Sequence, residues 1–160
     1  MEVVIVRSPN RRRTVEAKVV NGVIRVSVPA AMSRAEEQQH VDKLVARLER
    51  RRTTTGIELE PRAASLAGRH GLPRPVSIRW VDNQERRWGS CSPGDGTVRI
   101  STRVGVYPLW VLDYVIVHEL AHLAEAGHTA RFWALVDRYP KAERARGYLI
   151  AKGLEVDEEP

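Results

Sequence analysis

Alternating apolar and polar positions open the chain's readable pattern. VEAKVV (15–20) and VIRVSV (23–28) flank Asn21-Gly22, a dipeptide that favours the left-handed two-residue turn of a β-hairpin. Pro29 closes the second strand. Ser33, with Glu36 and Glu37 behind it, reads as a capping box, and Val41, Leu44, Val45 and Leu48 then form one apolar helical stripe running to about Arg52. TTTG (53–56) breaks that helix. A shorter helix is predicted over Pro61 to Arg69, ended by His70-Gly71 and the prolines at 73 and 75. VSIRWV (76–81), RRWGSCS (86–92) and TVRIS (97–101) read as three strands, the last two joined by Pro93-Gly94-Asp95-Gly96, and together they predict an antiparallel meander. Pro108 opens a central helix, and Gly127 stands where a left-handed C-terminal residue belongs. Thr129 to Tyr139 and Pro140 to Lys152 supply two more helices before an acidic tail.

These elements predict an α+β fold, a small antiparallel sheet packed against helices, in one domain over 1–160. Within it, 1–56 holds the N-terminal hairpin and helix, 57–153 the chemistry-bearing core, and 154–160 the tail. Neither a repeat nor a low-complexity linker divides the chain.

Composition narrows the class only modestly. At 160 residues and 42% hydrophobic, the chain has material for one ordinary core. No apolar run approaches the ~20 residues of a membrane span. The start, MEVVIVRSPNRRRT, carries its basic residues after the short apolar stretch, which is not the order of a signal peptide, so a cytoplasmic protein is expected. A single cysteine, Cys91, excludes an internal disulfide framework and reads as a buried, packed thiol. The net charge of +6 is mostly arginine, with clusters at 11–13 and 50–52. It raises the prospect of an anionic partner without naming one.

Chemistry concentrates in HELAHLAEAGH (118–128), which holds three of the five histidines. The surrounding LWVLDYVIVHELAHLAEA is apolar almost all round, so its helix is predicted to be buried and its polar groups to need partners. His118 and His122, one turn apart, lie ~40° from each other on one face and can bind one metal ion. Glu119, ~100° round from His118, flanks that ion and is placed to deprotonate a water held on it. This is the H-E-x-x-H pattern, with two histidine ligands and a glutamate base. A third protein ligand is required. His128 is the first candidate, with Gly127 to turn the chain, and Glu125, one turn beyond His122, is the competitor. The spacing equals that of metzincins, but Glu125 occupies their glycine position.

RRWGSCS (86–92), DYVIVHELAHL (113–123) and HTARFW (128–133), in that order and spacing, resemble the YgjP-like metallopeptidase family, which is related to the WLM and SprT-like zinc metallopeptidases. The resemblance implies a zincin-like fold with an HExxH active-site helix, zinc held at His118, His122 and His128, and Glu119 as catalytic base. A glycine stands before the third histidine where the family more often has asparagine, and both residues tolerate left-handed backbone.

Gly89 inside a strand marks a bulge or a close approach by another backbone. The segment Arg87, Trp88, Gly89, Ser90 thus becomes a candidate substrate-binding edge, with Arg87 holding an oxyanion or a carboxylate. The alternative is that Trp88 is core and Arg87 makes a structural pair. Tyr114, one turn before His118, is a candidate neighbour of the ligands. Trp110, Phe132 and Trp133 are assigned to packing. The leading expectation is a zinc metallopeptidase acting on a peptide or protein. A metal-dependent hydrolase of nucleotides or other phosphoanhydrides is the second reading, motivated by the arginines. A DNA-associated, SprT-like protease is the third, and nucleic acid is not the favoured partner because no stacking platform or zinc knuckle is visible.

Overall fold

The computed structural model describes residues 2–153, so the acidic tail expected at 154–160 lies outside the described residues. Contacts divide the chain into two compact units after Arg52. The expected hairpin is present in the first unit as β2 (Glu16–Val20) and β3 (Val23–Pro29). Both turn residues, Asn21 and Gly22, have positive φ (51° and 79°), the conformation the dipeptide favours. Another strand, β1 (Val3–Ser8), pairs parallel to the far side of β3, giving the order β1-β3-β2. Alternation along β3 sends Ile24, Val26 and Val28 into a small core with Val41 of helix α1 (Arg34–Thr54). The helix starts with the reciprocal cap read from the sequence. Glu36 N donates to Ser33 Oγ at 3.3 Å, and Ser33 N donates to the Glu36 carboxylate at 3.3 Å.

The second unit begins in the last turn of α1 and continues through helix α2 (Leu59–His70), which Gly71 ends in the left-handed conformation, its N–H bonded to the Ala67 carbonyl. Strands β4 (Ser77–Val81), β5 (Gly89–Ser92) and β6 (Thr97–Ser101) follow, then a 3-10 turn (Thr102–Val106) and helices α3 (Leu109–Ala124), α4 (Ala130–Val136) and α5 (Ala142–Ala151). Two small mixed sheets with helices make the fold α+β.

The antiparallel meander is corrected. The sheet order is β4-β6-β5, with β4 parallel to β6 and only β5 and β6 antiparallel. Residues 82–88 cross the C-terminal end of β6 to reach the far side, and hydrogen bonds pin that crossing. Ser101 N donates to the Trp88 carbonyl at 2.9 Å, Thr102 Oγ1 pairs with the Asp82 carboxylate at 3.0 Å, and Arg103 reaches the Glu85 carbonyl. Arg86, Arg87 and Trp88 therefore belong to the crossing, and the strand begins at Gly89.

Helix α3 is the spine of this unit. Its apolar residues meet α2 on one side, α4 and α5 on another, and the sheet on a third, so Val111, Leu112, Ile116, Val117 and Leu120 are all buried. Each such aliphatic side chain contributes about 1.5–3 kcal/mol through burial. A two-pronged Arg62–Asp113 ion pair ties α2 to α3, its second prong 3.1 Å long. No helix among the described residues is long and apolar enough to cross a membrane.

Candidate metal centre

Because α3 is covered on almost every side, its polar residues are drawn into the interior. His118 and Glu119 are 8% and 6% exposed. The Nε2 atoms of His122 and His128 lie 3.2 Å and 3.4 Å from His118 Nε2. Two nitrogens each ~2.0–2.1 Å from one tetrahedral ion are separated by about 3.3 Å, so these spacings suit a shared metal. Protonation does not suit them. Burial, then the neighbouring His122 and His128, push the His118 imidazole down to about 3, leaving it neutral at physiological pH. His122 Nδ1 lies 3.1 Å from the Glu125 carbonyl, which can only accept, so Nδ1 carries the proton and the Nε2 lone pair faces the cluster. Lone pairs directed at one point repel unless a cation joins them. The three side chains thus form a group able to hold a metal ion, and they fit one by chemistry as well as by distance.

Helix α3 stops at Ala124 because Glu125 turns extended, with φ −139° and ψ 109°. This corrects the expected role of Gly127, whose φ is not left-handed: the chain leaves the helix at Glu125, whose carbonyl is held by His122. His128 then lies just ahead of α4, where the Thr129 hydroxyl caps the helix by accepting from Phe132 N at 3.2 Å. Two α4 side chains fix the imidazoles. Phe132 stacks on His122 (4.3 Å, 26°) and meets His118 and His128 edge-on. Trp133 stacks on His128 at 5.6 Å and 22°. Both side chains are packing residues, as the sequence implies, and what they pack is the three-histidine cluster itself. The Glu125 carboxylate stays outside the cluster, 3.9 Å from Arg131 Nε.

On its other flank α3 touches the sheet through Glu119. A Cβ on Gly89 would lie 2.8 Å from Glu119 Oε1 and 2.9 Å from its Cγ. The glycine therefore marks a close approach, as its position in a strand implied, but by a carboxylate side chain and not by backbone. Ser90 Oγ accepts from Gln84 Nε2 at 2.6 Å, bracing the start of β5. Trp88 is buried edge-to-face against Tyr107 at 5.4 Å, with the Arg103 guanidinium 5.1 Å from its ring centre, whereas Arg87 is exposed on the crossing. Trp88 thus belongs to the core. Cys91 is half-buried, and burial followed by the charge of Glu119 pushes its thiol up to about 11, so it remains protonated and a poor nucleophile at neutral pH. Tyr114 is buried with its ring 6.0 Å from His118, and burial pushes its phenol up to about 12. Arg146 on α5, with its guanidinium 4.4 Å from the Trp133 ring centre, was not singled out by the sequence. It lies a helix away from the histidine motif and carries no pattern of its own.

Two crystal structures share this fold. The metallopeptidase zymogen abylysin of Pyrococcus abyssi is 23% identical, with a TM-score of 0.53 over 59% of this chain and 94% of that one. The metallopeptidase zymogen jannalysin of Methanocaldococcus jannaschii is 17% identical, with a TM-score of 0.51 over 61% of this chain and 98% of that one. No functionally curated protein matches the chain. The model of the YgjP-like metallopeptidase domain matches residues 13–151, from the hairpin to the end of α5 and across all three histidines. By that match the chain belongs to the YgjP-like metallopeptidase family and is a metal-dependent peptidase.

Proposed function

We propose that the protein is a zinc peptidase in which His118, His122 and His128 hold the metal and Glu119 is the general base. The convergence of three imidazole nitrogens beside a buried glutamate carries this reading. Zinc bound there supplies Lewis-acid polarisation of the scissile carbonyl and lowers the pKa of a water towards ~7. Glu119 takes the proton from the attacking water and returns it to the leaving amine. β5 pairs with β6 on one side only among the described residues, so its other edge is available to an extended peptide passing Gly89 and the Glu119 carboxylate. Phe132 packs against both the His118 and His122 rings and the Glu125 carbonyl fixes the His122 tautomer, which limits reorganisation when substrate arrives.

Purified protein loaded with one equivalent of zinc is expected to cleave casein or members of a peptide library and to leave nucleoside triphosphates intact. Hydrolysis of triphosphates with no peptide cleavage would replace the peptide substrate by a phosphoanhydride.

Gly89→Ala tests the contact between β5 and the base. The added methyl must displace the flexible carboxylate end of Glu119, not backbone, so the expected loss is in activity and not in folding. A fall in kcat/KM of about 100-fold is expected, in line with misplacing a reacting group by an ångström. The circular dichroism spectrum and zinc content should be unchanged. Wild-type kcat/KM in this variant would show that Glu119 does not need its position against the strand.

A further inference from the structure

The two faces of the β4-β6-β5 sheet offer a strand bound at the β5 edge different chemistry. Alternation along β6 buries Val98 and Ile100 and turns Arg99 to the opposite face. On β5 the residue in register with Arg99 is Ser90. Its neighbours Gly89 and Cys91 face the other way, the first against Glu119 and the second against the core. On β4 the residue in register is Arg79, so two arginines stand directly opposite each other on adjacent strands. Like charges in that arrangement are unfavourable. Neither arginine forms an ion pair among the described residues. Asp95, in the β5–β6 turn, is exposed and accepts from Thr97 N at 3.0 Å and Thr97 Oγ1 at 2.6 Å, so solvent screens its charge. The Arg99 side chain crosses to the neighbouring strand, where its Nη1 donates to Ser92 Oγ at 3.2 Å. That hydroxyl is a neutral acceptor and engages one of five N–H donors. Ser90 and Ser92 are the β5 side chains on this face, and both are too short to shield the guanidinium from the open edge. The Ser90 hydroxyl accepts from Gln84 Nε2 and keeps its own proton to donate. Positive charge and a hydroxyl donor thus stand where a strand added to β5 would place every second side chain.

We propose that Arg99 determines specificity by receiving the carboxylate of an Asp or Glu at the substrate position in register with Ser90. This rests on the peptidase reading above, with the peptide lying along β5, and it names a substrate class: peptides carrying an acidic side chain close to the scissile bond. The acid is close to that bond because the substrate residue beside it faces Gly89 and the Glu119 carboxylate. A lysine at the same position would meet Arg99 and Arg79 together, so the face discriminates by repulsion as well as by attraction.

Matched peptides assayed in two ways test this. At each position flanking the cleavage site, Glu is exchanged for Gln and for Lys. Cleavage is followed with the zinc-loaded enzyme, and binding is followed by calorimetry with the zinc-loaded Glu119→Gln protein. At one position Glu should exceed Gln by about tenfold or more, with Lys below both. The ratio is read within each variant, so a lower yield of active protein leaves it unchanged. It should collapse towards one in Arg99→Met, or in Arg99→Gln where the first variant does not fold. It should survive in part in Arg99→Lys, which keeps the charge without the fork. Cleavage with no Glu preference, a preference shared equally by adjacent positions, or one undiminished in Arg99→Met overturns the acid site and leaves the peptidase reading standing. Glu-selective, Arg99-dependent binding with no cleavage of any peptide does the reverse. Absence of both binding and cleavage overturns both.

Discussion

His122→Ala is expected to purify without bound zinc under conditions in which the wild type carries one equivalent. The substitution removes one of three converging nitrogens and leaves His118 and His128, whose Nε2 atoms are 3.4 Å apart, to hold an ion alone. Loss of a second-sphere partner to a ligand costs about 10–100-fold in metal affinity, and loss of the ligand itself should exceed that range. The ring also has a packing role, since it stacks on Phe132 at 4.3 Å. Thermal unfolding with and without zinc separates the two effects: wild type should gain stability on zinc addition and the variant should not, whatever the cost of the lost ring. The same measurement decides the third ligand. His128→Ala should behave like His122→Ala, whereas Glu125→Ala should keep its zinc, because the part of Glu125 that meets the site is its backbone carbonyl, which alanine also provides. Zinc retained by His128→Ala and lost from Glu125→Ala would transfer the third position to the carboxylate.

What could be read from the sequence depended on how local each signal was. Asn21-Gly22 sets a turn by its own backbone preference, and Ser33 with Glu36 caps a helix from three residues away, so both were legible. The alignment of His118 with His122 follows from helix geometry once the apolar run around them is read as a buried helix. Pairings between distant strands were less visible. β1 and β4 each pair in parallel with a strand from which other elements separate them, and nothing in VVIVRS or SIRWV names that partner. Proximity in sequence suggests a meander, and the crossing at 82–88 undoes it. The same limit applies at the site. Gly89 announced a close approach but not that Glu119 makes it, and Gly127 drew the turn to itself although Glu125 makes it. Arg146 gave no signal, because its significance lies in the ring it covers.

Glu119→Gln should retain zinc and lose nearly all hydrolysis. Glutamine keeps the shape that fits against Gly89, where the glutamate's Oε1 and Cγ would be 2.8 Å and 2.9 Å from an added Cβ, so the β5 contact and the fold are preserved. It cannot accept the proton of an attacking water at neutral pH, and no adjacent side chain is suited to replace it: the Cys91 thiol is pushed up to about 11 and the Tyr114 phenol to about 12. Removal of a positioned general base costs about 10²–10⁴-fold, and kcat should carry most of the loss because the base acts in the transition state. Metal analysis should show one zinc per chain, which separates this variant from the histidine substitutions. Glu119→Asp adds a distance criterion. It keeps the carboxylate but withdraws it by one methylene from both the strand and the ligands, so its activity should fall between those of wild type and Glu119→Gln. If Glu119→Gln cleaves peptides at the wild-type rate while holding zinc, proton transfer does not pass through this residue, and its burial against Gly89 is structural.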